Sequence, residues 1–539
     1  MSTIQNPVLR GFNPDPCVCR GKDAWYMAVS TFEWYPGVLI YESKDFVNWV
    51  LKANPLERLS QLNLIGEQPS GGVWAPALSY HDGLYWLVYT DTKAWKGEQK
   101  ISPLRDMHNY VVTAPDITGP WSEPVHLVSG GYDPSLFHDD EGRKWLAYIR
   151  RDFRGIYEDL FAGIIIREYS TEEQRLVGEE HVIYKGANLR TDYFMKCQIY
   201  EAPHLMKKDG WYYLITAEGG TGYTHATCVS RSRELFGPYE LHPDTPMLTS
   251  RDVERRIQRT GHGNLVEGPA GQWYMPYLGS RPIEGPSRRS PLGRESCIAP
   301  IDWRDGWPCL AIGGVVPGES FEVESSAEQH LDSSWAVDFG RCATVPLALQ
   351  SLRIPKSEDW CKLNEREGFL RIRGQESPTS RFYQSLLACR VCDFAFEIET
   401  AFEFAPKSYL QMAGVMARYD ENTFYYLFAT RDDDGSKILS YMEMDAGTYA
   451  YTHRLAALPE HGEIGLRIRV VDSKLRFLYR SIATDWTDIG LEKDFTKLSD
   501  EYATPIGFTG AFAGITVNDM MGFAQPADFR SFAYTQLGE

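Results

Sequence analysis

Short runs of aromatic and aliphatic residues recur along the first part of the chain, each after a polar turn that contains glycine. Antiparallel hairpins typically combine such turns with strand-forming runs. The turns and runs are Gly21-Lys22-Asp23 with Trp25-Tyr26-Met27, His81-Asp82-Gly83 with Leu84 to Tyr89, Asp140-Glu141-Gly142 with Lys144 to Tyr148, Lys208-Asp209-Gly210 with Trp211 to Leu214, and Gly268 to Gly271 with Gln272 to Met275. The period of roughly 60 residues predicts one repeated unit of about four strands. Five such units predict a five-bladed β-propeller over residues 1–318.

The pattern changes around Val316 to Ser326, where Pro317-Gly318-Glu319-Ser320 and Glu324-Ser325-Ser326 indicate a linker. Beyond it, apolar and polar residues alternate with period two, as in Phe369 to Arg373, Asp393 to Glu399 and Leu466 to Val470. Alternation of this kind predicts an antiparallel β-sandwich over residues 327–539. The predicted fold class is therefore all-β, a five-bladed propeller followed by a sandwich.

Charge and composition restrict the partners. The chain has 539 residues and a formal net charge of -18, which argues against nucleic acid and anionic membranes because both require a cationic surface. There is no run of about 18 apolar residues and no signal peptide is visible at Met1 to Arg10. The ten cysteines lack a disulfide or zinc pattern, so we expect reduced thiols and a cytoplasmic protein.

Three carboxylates stand beside prolines at the start of repeat units. The motifs are Asn13-Pro14-Asp15-Pro16, Tyr132-Asp133-Pro134-Ser135 and Tyr200-Glu201-Ala202-Pro203. Each such motif alone is also typical of a turn that ends a strand. Because all three are in phase with the repeat, and first strands line a propeller's axis, we expect Asp15, Asp133 and Glu201 to converge at one mouth.

With these motifs, the chain resembles glycoside hydrolases of family 43, and more narrowly the β-xylosidases that carry a C-terminal β-sandwich. Further motifs that carry the resemblance are Ser30 to Val38, Val73-Trp74-Ala75-Pro76, Glu201-Ala202-Pro203-His204, Gly261-His262-Gly263 and Leu292-Gly293-Arg294-Glu295. The resemblance spans both domains. It implies an exo-acting, inverting enzyme that releases xylose from β-1,4-xylo-oligosaccharides.

The resemblance also implies the roles of the carboxylates. Asp15 is expected to be the general base that activates water, and Glu201 the general acid that protonates the leaving oxygen. Asp133 is expected to raise the proton affinity of Glu201 and to orient it, because a nearby negative charge disfavours ionisation.

Five further residues are predicted to bind the substrate. Phe32 and Trp74 are expected to form apolar walls for a sugar ring, although aromatic residues more often belong to the core. Arg294 is expected to reach sugar hydroxyls, with a rim salt bridge as the alternative. His204 is expected to orient groups below the acid. Phe512 either enters the pocket mouth from the sandwich or belongs to the sandwich core.

No cofactor is required for this chemistry. His262 opens the fifth unit and is expected to point toward the propeller axis. There it either helps to bind a structural Ca²⁺ or water, as in some relatives, or hydrogen-bonds its neighbours.

Alternative functions remain open at the level of the sequence. The acid lies in Tyr200-Glu201-Ala202 rather than in the Thr-Glu-Gly context of the xylosidases, and Ser296 to Pro300 also suits arabinofuranosidases. An α-L-arabinofuranosidase or a bifunctional enzyme acting on arabinoxylo-oligosaccharides is therefore the second hypothesis. The hypothesis of a fructan-cleaving hydrolase is weaker, because the motifs of that family are missing from this sequence. A non-catalytic sugar-binding propeller conflicts with the three carboxylates. The resemblance alone makes a homo-oligomer plausible.

Overall fold

A computed structural model describes residues 1–96, 101–156, 161–185, 199–285, 287–481, 485–503, 506–522 and 524–538. Strands dominate, and the helices in these ranges are two single 3-10 turns, Pro269–Gly271 and Phe495–Lys497. None of the described helices has the length and apolar character needed to span a membrane. The nine cysteines in these ranges all carry free thiols.

Five antiparallel sheets form the blades of a propeller, as predicted. Blade 1 contains Cys17–Arg20, Trp25–Val29, Leu39–Ser43 and Val50–Ala53. Blade 2 contains Gly72–His81, Leu84–Lys96, Ile101–Ala114 and Val125–Val128. Blade 3 contains Gly131–His138, Lys144–Arg151, Phe161–Ser170 and Arg175–Tyr184. Blade 4 contains Tyr200–Lys208, Trp211–Glu218 and Ala226–Ser232, and the third strand pairs with both Glu240–Leu241 and Leu248–Thr249. Blade 5 contains Gln258–Gly261 and Val266–Glu267, both paired with Trp273–Ser280, then Glu295–Arg304 and Trp307–Leu310.

The inner strands are apolar on both faces because each blade packs between two others. In the strand Trp25–Val29 all five residues are buried. Tyr26 and Ala28 join a cluster with blade 2, whereas Met27 and Val29 join a cluster with blade 5. The second cluster closes the ring between the last blade and the first. Outside the blades, Ser2–Gln5 pairs with Ser320–Val323 near the end of the propeller.

The C-terminal part forms two packed antiparallel sheets, which confirms the predicted sandwich. One sheet contains Cys361–Leu363, Leu370–Arg373, Pro526–Gln536, Phe396–Phe404, Ile464–Val471, Lys474–Ser481 and Thr487–Asp494 in spatial order, with Trp335–Asp338 paired to Pro526–Gln536. The other contains Thr448–Ala457, Lys437–Asp445, Thr423–Arg431, Gln411–Asp420, Phe512–Asp519, Ser385–Arg390, Gln350–Leu352 and Trp34–Tyr35 in spatial order. Residues that alternate along these strands, such as Ile398 and Val415, form the core between the sheets.

The last strand of the second sheet belongs to the propeller half of the chain. Trp34–Tyr35 pairs with Gln350–Leu352, so a loop of blade 1 extends the sandwich. The ring of Trp34 also stacks on Phe512, with centroids 3.8 Å apart. The two domains therefore meet through a shared sheet and a buried aromatic pair, next to the mouth of the propeller.

Candidate active site

One cavity of about 490 Å³ lies where the propeller meets the sandwich. It collects seven of the nine residues predicted from the sequence, namely Asp15, Asp133, Glu201, Phe32, Trp74, Arg294 and His262. Neither His204 nor Phe512 lines it. The repeat therefore brings the three carboxylates together, although 186 residues separate the first from the last in the chain.

A kink in the first strand of each blade turns side chains toward this cavity. In or next to the first strand of every blade, one residue at the kink has a left-handed φ: Asp15 (57°), Ala75 (37°), Asp133 (52°), Ala202 (51°) and His262 (54°). In blade 5 the neighbouring Arg259 (59°) has a left-handed φ as well. In blades 2 to 4 the strand register is interrupted at the same place. A bulge of this kind re-aims side chains at the end of a strand.

The kinks also show that the three carboxylates do not occupy equivalent backbone positions, as their phase with the repeat suggested. Asp15 and Asp133 occupy the left-handed position itself, but in blade 4 that position is Ala202, and Glu201 precedes it. The residue of blade 3 that corresponds to Glu201 is therefore Tyr132. Glu201 therefore approaches the cavity from a different backbone position, with a side chain one methylene longer.

Asp15 is buried and is held by two strong donors. Its Oδ1 accepts from Arg294 at 2.9 Å, and its Oδ2 accepts from the Ser30 hydroxyl at 2.6 Å. Burial opposes ionisation, but the Arg294 charge and the Ser30 hydrogen bond outweigh it, so the pKa of Asp15 lies below its usual value. Asp15 is therefore a carboxylate that is ready to accept a proton.

Glu201 has the opposite tendency. Its Oε2 lies 2.8 Å from the phenol oxygen of Tyr132. Burial raises the pKa of Glu201 above its usual value, while the hydrogen bond from Tyr132 and the charges of Arg151 and Arg105 oppose the rise. The cavity therefore favours a protonated Glu201 opposite an ionised Asp15.

Asp133 is influenced by the charges of both other carboxylates. Burial and the charges of Glu201 and Asp15 raise its pKa well above the usual value. Its Oδ2 accepts a hydrogen bond from the backbone N–H of Ala202 at 3.1 Å, which ties blade 3 to the residue that follows Glu201. Because like charges resist joint ionisation, Asp133 and Glu201 together favour retention of a proton.

Aromatic rings from both domains form the walls. Phe32 and Trp74 pack at 5.8 Å between centroids, and Trp74 packs edge-on against Phe508 at 5.5 Å. Phe508 lies in the sandwich and lines the cavity with Ile506. Its backbone is held by the propeller, because its N–H donates to Ser70 at 3.1 Å and its carbonyl accepts from Arg294 at 2.9 Å.

The prediction that placed Phe512 in the pocket is wrong. Its side chain is fully buried between Trp34 and Phe12 at the domain junction. The residue that reaches the cavity is Phe508, four positions earlier. It lies in an irregular segment before the strand Phe512–Asp519, where strand periodicity gives no signal for the direction of a side chain.

His204 is also misplaced by the prediction. It lines a second cavity of about 130 Å³ with Ser79, Ser135 and Asn264, rather than the cavity that holds Glu201. The strand register shifts between Glu201 and His204, and their side chains line different cavities. Burial lowers the pKa of His204 to about 3, so it is a neutral residue of the propeller interior.

His262 lies beside Asp15, with its Nδ1 3.4 Å from Asp15 Oδ1. Burial lowers its pKa, so Arg294 is the positive charge next to Asp15. Calcium takes six to eight oxygen ligands. The carboxylate nearest His262 is already paired with Arg294, and no group of three or more His, Cys, Asp or Glu side chains suited to a metal exists in the described ranges. A structural Ca²⁺ near His262 stays a prediction.

The lining of the cavity also contains residues that sequence reasoning missed. They are Arg105, Tyr223, Arg259, Asp500 and Glu501, with a turn at Gly219 to Gly222. Arg259 of blade 5 bonds to Glu501 of the sandwich at 2.7 Å and lies 3.6 Å from Asp500. The sandwich therefore completes the lining of the cavity through an ion pair as well as through Phe508.

Comparison with known proteins agrees with this geometry. The family model of glycosyl hydrolases family 43 matches residues 4–308, and that of the beta xylosidase C-terminal Concanavalin A-like domain matches residues 337–535. A beta-xylosidase of Bacillus subtilis is 41% identical over 99% of both chains. A xylosidase/arabinosidase 43B of Humicola insolens is 39% identical over 99% of this chain and 98% of its own length.

A solved structure resembles the whole molecule as well. The crystal structure of xylan beta-1,4-xylosidase from Bacillus halodurans superimposes with a TM-score of 0.91 at 42% identity, covering 99% of this chain and 100% of the other. The similarity therefore extends over both domains and includes their mutual arrangement.

Proposed function

Because the chain belongs to family 43 of the glycosyl hydrolases, its reaction is the hydrolysis of a glycosidic bond, and we propose that it is an exo-acting, inverting β-xylosidase. Its substrates would be short β-1,4-xylo-oligosaccharides, from which it releases xylose at the non-reducing end. The observation that carries this proposal is the unequal pair in one cavity. Asp15 favours the ionised state and Glu201 the protonated state.

In the proposed reaction Glu201 donates its proton to the glycosidic oxygen while the bond from that oxygen to the anomeric carbon breaks. The electron pair of that bond stays on the leaving oxygen. A water attacks the anomeric carbon from the opposite face, and Asp15 accepts the proton of this water. The products are a shortened oligosaccharide and xylose with the inverted, α configuration. Asp133 supports the protonated state of Glu201 before the transfer.

The shape of the cavity supports action at chain ends. Its walls come from the propeller through Phe32 and Trp74 and from the sandwich through Ile506 and Phe508. Rings from both domains therefore enclose the terminal sugar of a bound chain. An enzyme that cuts inside a polymer requires instead a groove that is open at both ends. The apolar faces of a pyranose pack well on such rings.

Arabinofuranosidase activity is the second candidate. It is favoured by the Humicola insolens relative, whose name includes both activities. Xylopyranosides and arabinofuranosides present similar hydroxyl groups near the anomeric carbon, so the same carboxylates can serve both. A location in the cytoplasm, for which the free thiols are the support, and a homo-oligomeric state stay predictions.

Two measurements on the wild-type enzyme test the proposal. The values of kcat/KM for 4-nitrophenyl β-D-xylopyranoside and 4-nitrophenyl α-L-arabinofuranoside should differ at least about tenfold in favour of the xyloside. Proton NMR of the hydrolysis of 4-nitrophenyl β-D-xylopyranoside, which releases a single xylose, should show α-xylose first, before mutarotation. A preference for the arabinoside would replace the proposed substrate, and β-xylose as the first product would replace the inverting mechanism.

A further inference from the structure

The phenol of Tyr132 is placed to control the proton of Glu201. Its oxygen lies 2.8 Å from Glu201 Oε2, and the ring is buried and packs edge-on against Trp74, with centroids 6.1 Å apart. The packing against the cavity wall fixes the ring. The hydrogen bond therefore holds one chosen oxygen of the carboxyl group.

The direction of this hydrogen bond follows from the chemistry of the two groups. Burial and the nearby charge of Glu201 raise the pKa of Tyr132, so the phenol keeps its proton. The phenol therefore donates and Oε2 accepts. In a protonated carboxyl group the accepting oxygen is the carbonyl oxygen, so the transferable proton resides on Oε1.

We propose that Tyr132 is a positioning residue that keeps the transferable proton of Glu201 on Oε1 and stabilises the carboxylate formed when that proton leaves. This inference rests on the proposed role of Glu201 as the general acid. As the Oε1–H bond breaks and the proton moves to the glycosidic oxygen, Glu201 becomes negative. The phenol hydrogen bond to Oε2 then becomes charge-assisted and stronger, so it favours the transition state over the ground state.

The adjacent residue supports the same function through the backbone. Asp133 accepts a hydrogen bond from the N–H of Ala202, which follows Glu201. Consecutive residues of blade 3 therefore hold the acid at two points: Asp133 holds its backbone and Tyr132 holds its carboxyl group. Arg105 and Arg151 line the same cavity and also favour the ionised form of Glu201.

Base and acid differ in the donors that they receive. Asp15 receives a guanidinium N–H and a hydroxyl, which keep it ionised. In the described part of the chain, the hydrogen bond that reaches the Glu201 carboxyl group comes from a neutral phenol. A neutral donor holds the group in place and stabilises its ionised form less than a charged donor would.

The substitution Tyr132→Phe tests the proposal because it removes the phenol and keeps the ring. We expect kcat/KM for xylobiose, which has a poor leaving group, to fall about 10- to 100-fold. The loss on 4-nitrophenyl β-D-xylopyranoside should be about threefold or less, because a good leaving group needs little protonation. The basic limb of the pH profile should move to higher pH, because the hydrogen bond that lowers the pKa of Glu201 is gone.

Tyr148→Phe is the matched control. Tyr148 is a buried tyrosine of the same blade whose phenol bonds to a carboxylate, Glu180, at 3.0 Å outside the cavity. The Tyr148→Phe variant should be less stable than the wild type. The ratio of its kcat/KM values on xylobiose and on 4-nitrophenyl β-D-xylopyranoside should be unchanged, and so should its pH profile. Equal losses of Tyr132→Phe on both substrates with an unchanged basic limb would overturn the proposal.

Two further variants keep the test decisive. Incorporation of 3-fluorotyrosine at position 132 leaves the ring in place and makes the phenol a stronger donor, so the basic limb should move to lower pH. An unshifted limb in that protein contradicts the proposal even if Tyr132→Phe fails to fold. Glu201→Gln tests the underlying function separately: unchanged hydrolysis of xylobiose by that variant would refute the acid assignment itself, whatever the Tyr132 variants do.

Discussion

At the scale of single residues, the protonation states in the cavity are set by the groups that surround each carboxylate. Asp15 and Asp133 share residue type, burial and a left-handed backbone, yet their pKa values move in opposite directions. The difference is Arg294, whose guanidinium bonds directly to Asp15, whereas Asp133 faces the charges of Glu201 and Asp15. The position of one cation therefore decides which aspartate is ionised and free to accept a proton from water.

The substitution Arg294→Gln is expected to move the acidic limb of the kcat/KM profile to higher pH by about one unit or more. The charge of Arg294 holds the pKa of Asp15 down, and Asp15 must be ionised to act as the proposed base. As pH falls through a raised pKa, activity is lost earlier than in the wild type. The profile measured on 4-nitrophenyl β-D-xylopyranoside checks this.

Arg371→Gln is the control for loss of an arginine–carboxylate pair. Arg371 bonds to Asp528 through two nitrogens on a strand of the sandwich, where it is partly exposed and does not line the cavity. It should lower the thermal unfolding midpoint without moving the acidic limb. If Arg294→Gln leaves the limb in place, the electrostatic role of Arg294 is refuted.

At the scale of elements, the loop before the strand Glu295–Arg304 delivers Arg294 to the cavity. Gly293 has a φ of +72°, and a Cβ there would lie 2.7 Å from the carbonyl oxygen of Thr509 and 3.0 Å from Gly510 Cα. The loop thus contacts the backbone of the sandwich directly. A glycine is required both for the left-handed conformation and for this close approach.

Gly293→Ala is expected to lower kcat/KM by about tenfold or more, because the propeller loop and the sandwich segment must separate and Arg294 moves with the loop. Gly83→Ala is the matched control, since Gly83 also has a left-handed φ, +77°, but open space around its Cβ position. Both variants should lose the stability that an L-residue loses at positive φ. Similar activity in the two variants would show that the contact does not position Arg294.

The elements also show what the sequence could predict. The five blades follow from local signals, because each glycine turn and aromatic run specifies its own hairpin. The convergence of Asp15, Asp133 and Glu201 follows from the phase of that repeat. The repeat does not predict that Glu201 lies one residue before the kink, because the position of the bulge depends on the backbone conformation at Ala202. The partner of Tyr132 is equally hidden, since the acid lies 69 residues away.

At the scale of the whole molecule, the sandwich is part of the cavity. It provides Ile506 and Phe508, and its sheet ends on the strand Trp34–Tyr35 of the propeller. Long-range pairing of this kind depends on how two folded domains pack against each other. Local periodicity therefore predicts neither the pairing of Trp34–Tyr35 with the sandwich sheet nor the fact that Phe508, and not Phe512, lines the cavity.

Two phenylalanines of the same segment separate the roles of this junction. Phe508 is half-buried against Trp74 and Trp95 in the cavity, whereas Phe512 is fully buried on Trp34. Phe508→Ala should therefore raise KM for xylobiose about fivefold to tenfold, through the lost contact with the sugar, and change the unfolding midpoint little. Phe512→Ala should lower the free energy of unfolding by about 3–5 kcal/mol and leave KM of the folded fraction near the wild-type value.

Steady-state kinetics and thermal unfolding of the two variants, measured under the same conditions, check this assignment. If Phe512→Ala instead raised KM without loss of stability, the aromatic junction would have to open in solution and let Phe512 reach the sugar. If both variants changed KM and stability together, the cavity wall and the domain junction would be one cooperative unit. Separate effects require a rigid junction that holds Phe508 in place, which the stacked ring of Trp34 and the backbone bonds of Phe508 to Ser70 and Arg294 predict.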